Sequence, residues 1–365
     1  MHTTLPRHFY ADPDFYRQEL ERFYLRRWIC AGRADQIPAA GDYFTRSVAD
    51  ESVIVTRDES GGIHALFNVC RHRGTRLCEQ TEGHLAGRIQ CPYHNWTYDL
   101  TGELLAAPHM SPDFSKQDFP LHRAGCETWD GHVFVHLGLD GQDRQDGGRE
   151  GLRDQLADLP ERFAGYRMQD LRLGRRIVYD VKTNWKLIVL NYNECLHCPN
   201  LHPALNRLHH YLGAENVAPT PTYCGGAMGF RDGVETLSVD GRRRRACLPG
   251  LSEPQRQRVE YYAIYPNLLL SLHPDYMMTH TLWPRAHDRT EIVCEWHFHP
   301  DEMAKPDFSS DDAIEFWDQT NREDWWISEQ SQAGISSRAY TPGPYSECEE
   351  LLWSFDEIVR RTAES

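Results

Sequence analysis

The sequence predicts an α+β protein whose first half is all-β and whose second half sets an antiparallel sheet against long helices. Three observations carry this. From residue 37 to 137, short apolar runs such as 51–56 and 132–137 are cut by Gly41, Gly61, Gly62, Gly74, Gly83, Gly87 and Gly102, the texture of strands joined by tight turns. Farther on, 261–266, 268–272, 279–283 and 291–298 read as a meander with Pro and Asp-Arg turns between its strands. After them, 313–333, with Ile314, Phe316, Trp317, Trp325, Trp326 and Ile327, and then 349–363, carry apolar residues at helical spacing.

A chain of 365 residues has room for two buried cores. Its clearest break is 138–151, where Gly141, Asp143, Arg144, Asp146, Gly147 and Gly148 crowd together. The expected division is a helical segment 1–36 packing on the second domain, an all-β domain 37–140, a linker 141–151 and a second domain 152–365. Phe15, Leu20, Phe23, Tyr24 and Trp28 form one apolar stripe over 13–30. The second domain opens with a helical stretch at 152–166, a strand at 175–181 and a strongly apolar run at 184–192. In the strand 132–137, His132 and His136 alternate outward and read as surface residues.

Composition excludes some functions. With 39 Lys and Arg against 54 Asp and Glu, the net charge is −15, which argues against a nucleic-acid partner and suits a basic electron-transfer partner or a cationic substrate. No apolar run is long enough for a membrane span, and the first residues lack the apolar core of a secretory leader. Eleven cysteines without framework spacing fit a reducing cytoplasm. The run Arg242–Arg245 reads as a solvated hairpin turn, or alternatively as a docking patch for a redox partner.

Cys70-Arg71-His72 and Cys91-Pro92-Tyr93-His94, separated by residues 73–90, each follow or precede a strand-like run. Two thiolates and two imidazoles on two β-loops can hold a tetrahedral zinc or an iron–sulfur cluster. The second pair leads into a hairpin pattern over 93–107 with its turn at Thr101-Gly102, so neither pair lies on a zinc-finger helix. The arrangement resembles a Rieske [2Fe–2S] centre, in which two cysteines hold one iron and two histidines the other. Cys78 falls outside the pattern and reads as a small core residue.

A second constellation lies at 191–203, Asn-Tyr-Asn-Glu-Cys-Leu-His-Cys-Pro-Asn-Leu-His-Pro. On a regular helix His197 and His202 would diverge by about 140°, but Pro199 and Pro203 break the segment and can let both rings turn to one point. Two histidines with a later carboxylate make the facial triad of non-haem iron oxygenases. Cys195 and Cys198 bracket His197; a zinc or redox pair is conceivable, and packing residues are the simpler reading.

Taken together, these motifs resemble the oxygenase component of the Rieske non-haem iron oxygenases, the ring-hydroxylating dioxygenase α-subunit superfamily. The likeness runs over nearly the whole chain, including Asn184-Trp185-Lys186, Ser271-Leu272-His273-Pro274-Asp275 and Pro342-Gly343-Pro344-Tyr345. It implies a β-sandwich Rieske domain beside a helix-grip catalytic domain, whose curved antiparallel sheet wraps a long C-terminal helix. It implies a [2Fe–2S] cluster on Cys70, His72, Cys91 and His94. A mononuclear Fe(II) is then expected on His197, His202 and Asp324, with Asp318 as the competing carboxylate.

Glu194 matches the family's carboxylate that links a histidine ligand to the Rieske histidine of a neighbouring subunit, and so serves electron transfer across a homotrimer. Electrons would come from NAD(P)H through a separate reductase, with or without a ferredoxin, since no dinucleotide fingerprint is present. Ring-hydroxylating members usually have Asp where Glu194 stands. Asn-Tyr-x-Glu-Cys-x-His-Cys is closer to the branch acting on carnitine, glycine betaine and proline betaine. The expected reaction is N-demethylating monooxygenation of a quaternary ammonium or N-methylated compound with O2; the alternative is arene or heterocycle hydroxylation, or O-demethylation.

Overall fold

The structure, a computed structural model, describes residues 2–138 and 151–364. The linker read at 141–151 lies outside the described residues, Gly151 excepted. The chain forms two compact units, one spanning Tyr24–Gln155 and the other made of the segments before and after it.

The unit Tyr24–Gln155 is all-β. A seven-stranded antiparallel sheet runs Ile29–Arg33, His132–His136, Arg123–Trp129, Ile63–Phe67, Glu51–Arg57, Asp42–Val48 and Glu82–His84. A three-stranded meander, Arg88–Gln90, Thr97–Asp99 and Leu104–Ala106, completes it. The hairpin forms where expected: Asp99 Oδ1 accepts from the amides of Thr101 and Glu103 at 2.8 and 2.9 Å, closing the turn. Ile54, Leu66, Ile89, Trp96, Tyr98 and Leu121 share a core with Cys78, as expected, and also with Cys70 and Cys91.

Two expectations fail in the first part of the chain. His132 and His136 are buried, because their strand is paired on both edges and every residue in it is covered. Burial drives the His132 imidazole well below its ordinary pKa, so it sits in the core as a neutral ring. The helix read over 13–30 also ends early. Asp12 caps Pro13–Glu19 by accepting from the Asp14 amide at 2.8 Å. A π-helical turn, Leu20–Tyr24, follows, and Ile29–Arg33 is already a strand against His132–His136. The fully buried run Ile-Cys-Ala-Gly that continues the apolar stripe belongs to a sheet.

The other unit is α+β. Six consecutive strands form an antiparallel meander, His209–Asn216, Tyr223–Phe230, Arg258–Ile264, Leu268–Leu272, Met277–Ala286 and Arg289–Phe298, and Arg172–Val181 pairs with the last. The 25-residue helix Asp311–Ile335 buries Phe316, Trp317, Thr320, Asn321, Trp325, Ser328 and Gln332 on one face. That face meets the sheet: Trp317 Nε1 donates to Tyr276 Oη at 2.7 Å, and Tyr179 Oη to Asp318 Oδ1 at 2.6 Å. Trp326, on the opposite face, is exposed. This is the helix-grip arrangement. The helix Glu350–Glu364 closes the chain.

The apolar run at 184–192 is the helix Trp185–Tyr192, capped by Asn184 Oδ1 accepting from the Lys186 amide at 3.0 Å. It fastens the N-terminal helix to this unit through a buried ion pair, Lys186 Nζ to Glu19 Oε1 at 2.6 Å, with Trp185 Nε1 donating to the same carboxylate. Removing either charge would strand the other, at a cost of about 3–5 kcal/mol. The arginine run at 242–245 is also less solvated than expected. Arg245 is buried between Asp275 and Asp312, at 3.0 and 2.6 Å, and Arg244 pairs with Asp240. No described helix is long and apolar enough to cross a membrane.

Candidate metal centres

In the β unit, the two Cys–His loops are built alike. The Cys70 amide donates to Thr75 O at 2.8 Å and Cys70 O accepts from Gly74 at 3.0 Å; the Cys91 amide donates to Trp96 O at 2.8 Å and Cys91 O accepts from Asn95 at 3.1 Å. Four residues beyond each cysteine the backbone turns left-handed, at Gly74 (φ +73°) and Asn95 (φ +59°). Gly and Asn are the residues that tolerate this. Both loops thus fold back on their own cysteine and present sulfur and imidazole together.

The side chains meet in like pairs, histidine with histidine and cysteine with cysteine. The rings of His72 and His94 lie 4.7 Å apart at 75°, and Trp96 stacks on His72 at 4.9 Å. Cys70 and Cys91 are buried. Burial pushes the Cys70 thiol up, partly offset by Tyr98 Oη at 3.4 Å, and the neighbouring Cys91 adds to the rise. Nδ1 of His72 and Nδ1 of His94 are buried without a hydrogen-bond partner among the described residues. Orphaned imidazole nitrogens beside paired buried sulfurs are costly unless a metal takes them, so this donor set fits a [2Fe–2S] cluster.

In the α+β unit, the helix Trp185–Tyr192 ends at Asn193 and a turn at 195–198 precedes the short helix Cys198–Leu201. His197 therefore lies in a turn and His202 caps a four-residue helix, which frees the two rings from helical spacing. Their centroids are 5.1 Å apart at 78°. Donor atoms of His197, His202 and Asp324 all lie within 4.8 Å of one another. Asp324 Oδ1 stands 2.8 Å from His202 Nε2 and 3.4 Å from His197 Nε2. The competing Asp318 is held elsewhere, by Tyr179 and by Arg322 at 3.0 Å.

The other nitrogen of each ring also meets a carboxylate. Glu194 hydrogen-bonds His197 Nδ1, and Glu323 Oε2 lies 2.6 Å from His202 Nδ1. Glu323 escaped the sequence reading; the available signal was its place beside Asp324, one residue round the same helix. Burial depresses His197, but hydrogen bonds to Asp324 and Glu194 outweigh it and hold the imidazole up at about 9. Asp324 is pushed up by burial and, on balance, held down by both imidazoles. Three carboxylates around two rings make a site that calls for positive charge, protons or a divalent metal, and these donors fit a mononuclear iron.

Cys195 and Cys198 form a disulfide, contrary to the packing role expected of them. Both line a cavity of about 270 Å³ that opens on the His197–His202–Asp324 group. Its walls carry five rings in sequence: Trp325, His280, Tyr192, Tyr261 and Trp317, with neighbouring centroids 5.8–6.4 Å apart and planes crossed at 72–88°. No lysine or arginine is among its described lining residues.

Residues 27–125 match the Rieske [2Fe-2S] domain, and residues 168–365 match the ring hydroxylating alpha subunit catalytic domain. The glycine betaine monooxygenase oxygenase subunit of Chromohalobacter salexigens is 32% identical over 98% of this chain and 86% of its own length. The chloroplastic choline monooxygenase of Arabidopsis thaliana is 28% identical over 97% of this chain and 81% of its own. Among solved structures, the quaternary ammonium Rieske monooxygenase CntA with L-carnitine superposes with a TM-score of 0.80 at 24% identity, over 99% of this chain and 95% of CntA. The chain is an oxidoreductase that incorporates oxygen from O2, with a Rieske cluster and a mononuclear iron as its cofactors, and it belongs to the ring-hydroxylating alpha-subunit family of Rieske oxygenases.

Proposed function

We propose that this chain is the oxygenase component of an N-demethylating monooxygenase. A quaternary ammonium or other N-methylated compound is hydroxylated on one N-methyl carbon; the product collapses to formaldehyde and an amine one methyl shorter. Electrons come from NAD(P)H through a separate reductase, with or without a ferredoxin between. The working form is a cytoplasmic homotrimer.

The observation that supports this substrate class is the cavity. The row of rings from Trp325 to Trp317 and two carboxylates, Glu194 and Asp324, are part of its lining, and no lysine or arginine is among its described lining residues. An ammonium ion against ring faces in a desolvated site gains about 2 kcal/mol, whereas an arene gains nothing from the carboxylates. The relatives of similar length, which act on glycine betaine and choline, point the same way.

Cys70, His72, Cys91 and His94 hold the [2Fe–2S] cluster, and His197, His202 and Asp324 hold the iron. When bound, the cluster supplies single electrons and the iron supplies the centre where dioxygen is reduced. The protein's own residues set the geometry. Glu194 accepts a hydrogen bond from Nδ1–H of His197 and Glu323 from Nδ1–H of His202, which fixes the tautomer whose Nε2 lone pairs are available to a metal. Glu194 also serves as the bridge to the neighbouring subunit. The aromatic walls exclude water and hold the N-methyl group at the Asp324 end.

The test is dioxygen uptake by the protein with a reductase and NADH, over a panel of trimethylammonium compounds, tertiary N-methylamines and arenes. One formaldehyde released per dioxygen consumed, with an amine substrate, is the expected result. Arene hydroxylation without formaldehyde from any amine would sink this reading.

A further inference from the structure

The turn that carries His197 is closed twice. The Cys198 amide donates to Cys195 O at 3.1 Å, and the Cys195–Cys198 disulfide ties the same two residues, whose Cα atoms are 5.0 Å apart. His197 lies inside this four-residue ring, and Glu194, its hydrogen-bond partner, is the residue just before it. Cys198 is buried, Cys195 is half-buried, and both line the cavity. A disulfide in an enzyme of a reducing compartment is usually transient, serving catalysis or sensing.

We propose that Cys195 and Cys198 are a reversible thiol–disulfide site whose co-reactants are a peroxide in one direction and a dithiol in the other, and whose oxidised state locks the turn bearing His197. In oxidation, the two thiols lose two protons and two electrons as their S–S bond forms. The peroxide's O–O bond breaks, and hydrogen peroxide leaves as two waters. In reduction, a dithiol attacks Cys195, the more accessible sulfur, and leaves as its own disulfide while Cys195 and Cys198 take up two protons. Opening the ring removes the covalent closure between residues 195 and 198 and leaves hydrogen bonds alone to hold the turn, so the relation of His197 to Glu194 is loosened. The second part of the proposal rests on His197 being an iron ligand; the first does not.

The test uses full-length protein as isolated, after dithiothreitol, and after hydrogen peroxide. Each sample is unfolded in an alkylating agent and digested with trypsin. Cleavage after Lys186 and Arg207 yields peptide 187–207, in which Cys195 and Cys198 are the only cysteines. The expected result is no label after peroxide and two labels after dithiothreitol; two labels in the peroxide sample overturn the site.

Iron loss to a chelator is then followed, with the visible spectrum reporting that the cluster is intact. Reduced protein should lose its mononuclear iron roughly tenfold faster than oxidised protein, and reoxidation should restore the slow rate. Cys195→Ser and Cys198→Ser should lose iron at the reduced rate and ignore peroxide. Equal loss from oxidised and reduced wild type overturns the lock, even where the serine variants fail to fold. Absence of iron from every form, with the cluster present, overturns the ligand assignment instead, while the label count still decides the disulfide.

Discussion

The two donor groups of this molecule are assembled in opposite ways. Around Cys70 and Cys91, each loop is closed by the cysteine's own backbone within five residues and reversed by Gly74 or Asn95. Around His197 and His202, the third donor arrives from 122 residues away on the helix Asp311–Ile335. Glu194 and Glu323 then hold the rings from behind. The first site is carried by loop geometry and the second by side chains on separate elements. Damage to a single side chain should therefore spread differently in the two.

The largest effect expected is at Asp324. Asp324→Ala removes the donor that both imidazoles face, so turnover should fall below detection and mononuclear iron should be lost. The visible cluster spectrum should not change, because nothing in the Cys–His loops depends on it. Asp318→Ala should keep its iron, since that carboxylate serves Tyr179 and Arg322. Metal analysis of the two variants decides between them, and iron loss in Asp318→Ala alone would overturn the assignment.

Next comes Glu194. Glu194→Ala should still load with both metals, holding its mononuclear iron roughly tenfold more weakly, and should still accept an electron at the cluster. Single-turnover product formation should nonetheless fall by about 10–100-fold as His197 loses its orienting partner; Glu194→Asp should recover part of it. A pre-reduced alanine variant that forms product as fast as wild type would remove Glu194 from the electron path.

The site also binds protons in competition with metal, which the Cys–His loops should show differently. With no metal, His197 is held up at about 9, against the pull of burial, by its hydrogen bonds to Asp324 and Glu194. At neutral pH the ring is protonated, and a metal must displace that proton. Apparent affinity should therefore rise with pH and level off only above the raised pKa, by about tenfold per unit for one proton. Cobalt(II) titrations of iron-depleted protein from about pH 6 to about pH 8 check the slope. Glu323→Gln, which keeps a hydrogen-bond partner for His202 but removes its charge, should cost less, roughly tenfold in affinity.

That contrast also explains what could be read in advance. The Cys–His loops are local, so spacing and the hairpin pattern were enough to find them. The helix Asp311–Ile335 was legible because Phe316, Trp317 and Trp325 repeat at helical period. Other features depend on tertiary contacts that periodicity does not encode. His132 and His136 looked exposed because alternation assumes one wet face, and their strand has none. The strand Tyr223–Phe230 went unread because Gly225, Gly226 and Gly229 look like a turn. The first two are needed for close backbone approach: a Cβ there would fall 2.2 Å from Tyr261 O and 2.5 Å from Glu215 O. Residues of that strand line the cavity, so part of the substrate wall was hidden as well. Glu323 could not be assigned until the helix was docked beside His202. The spacing of Cys195 and Cys198 suited packing as well as pairing.

The smallest effect sharpens the comparison from the cluster's side. Tyr98 Oη accepts the Arg71 amide at 3.1 Å, which directs its own hydrogen toward Cys70 Sγ at 3.4 Å. A hydrogen bond to a ligating sulfur stabilises its negative charge and so makes a cluster easier to reduce. Tyr98→Phe keeps the buried ring in the core it shares with Ile54 and Leu66 and deletes only the hydroxyl, with its links to Cys70 and to the Arg71 amide. The cluster should remain bound, with a lower reduction potential in a redox titration. Because the Arg71 amide loses its acceptor, unfolding should also become easier by about 1–3 kcal/mol. Iron retention at His197, His202 and Asp324 should be unchanged, since the change is confined to the loop-borne site. A potential equal to wild type, with stability reduced as expected, would show that the Tyr98 hydroxyl serves the Arg71 amide and not the sulfur.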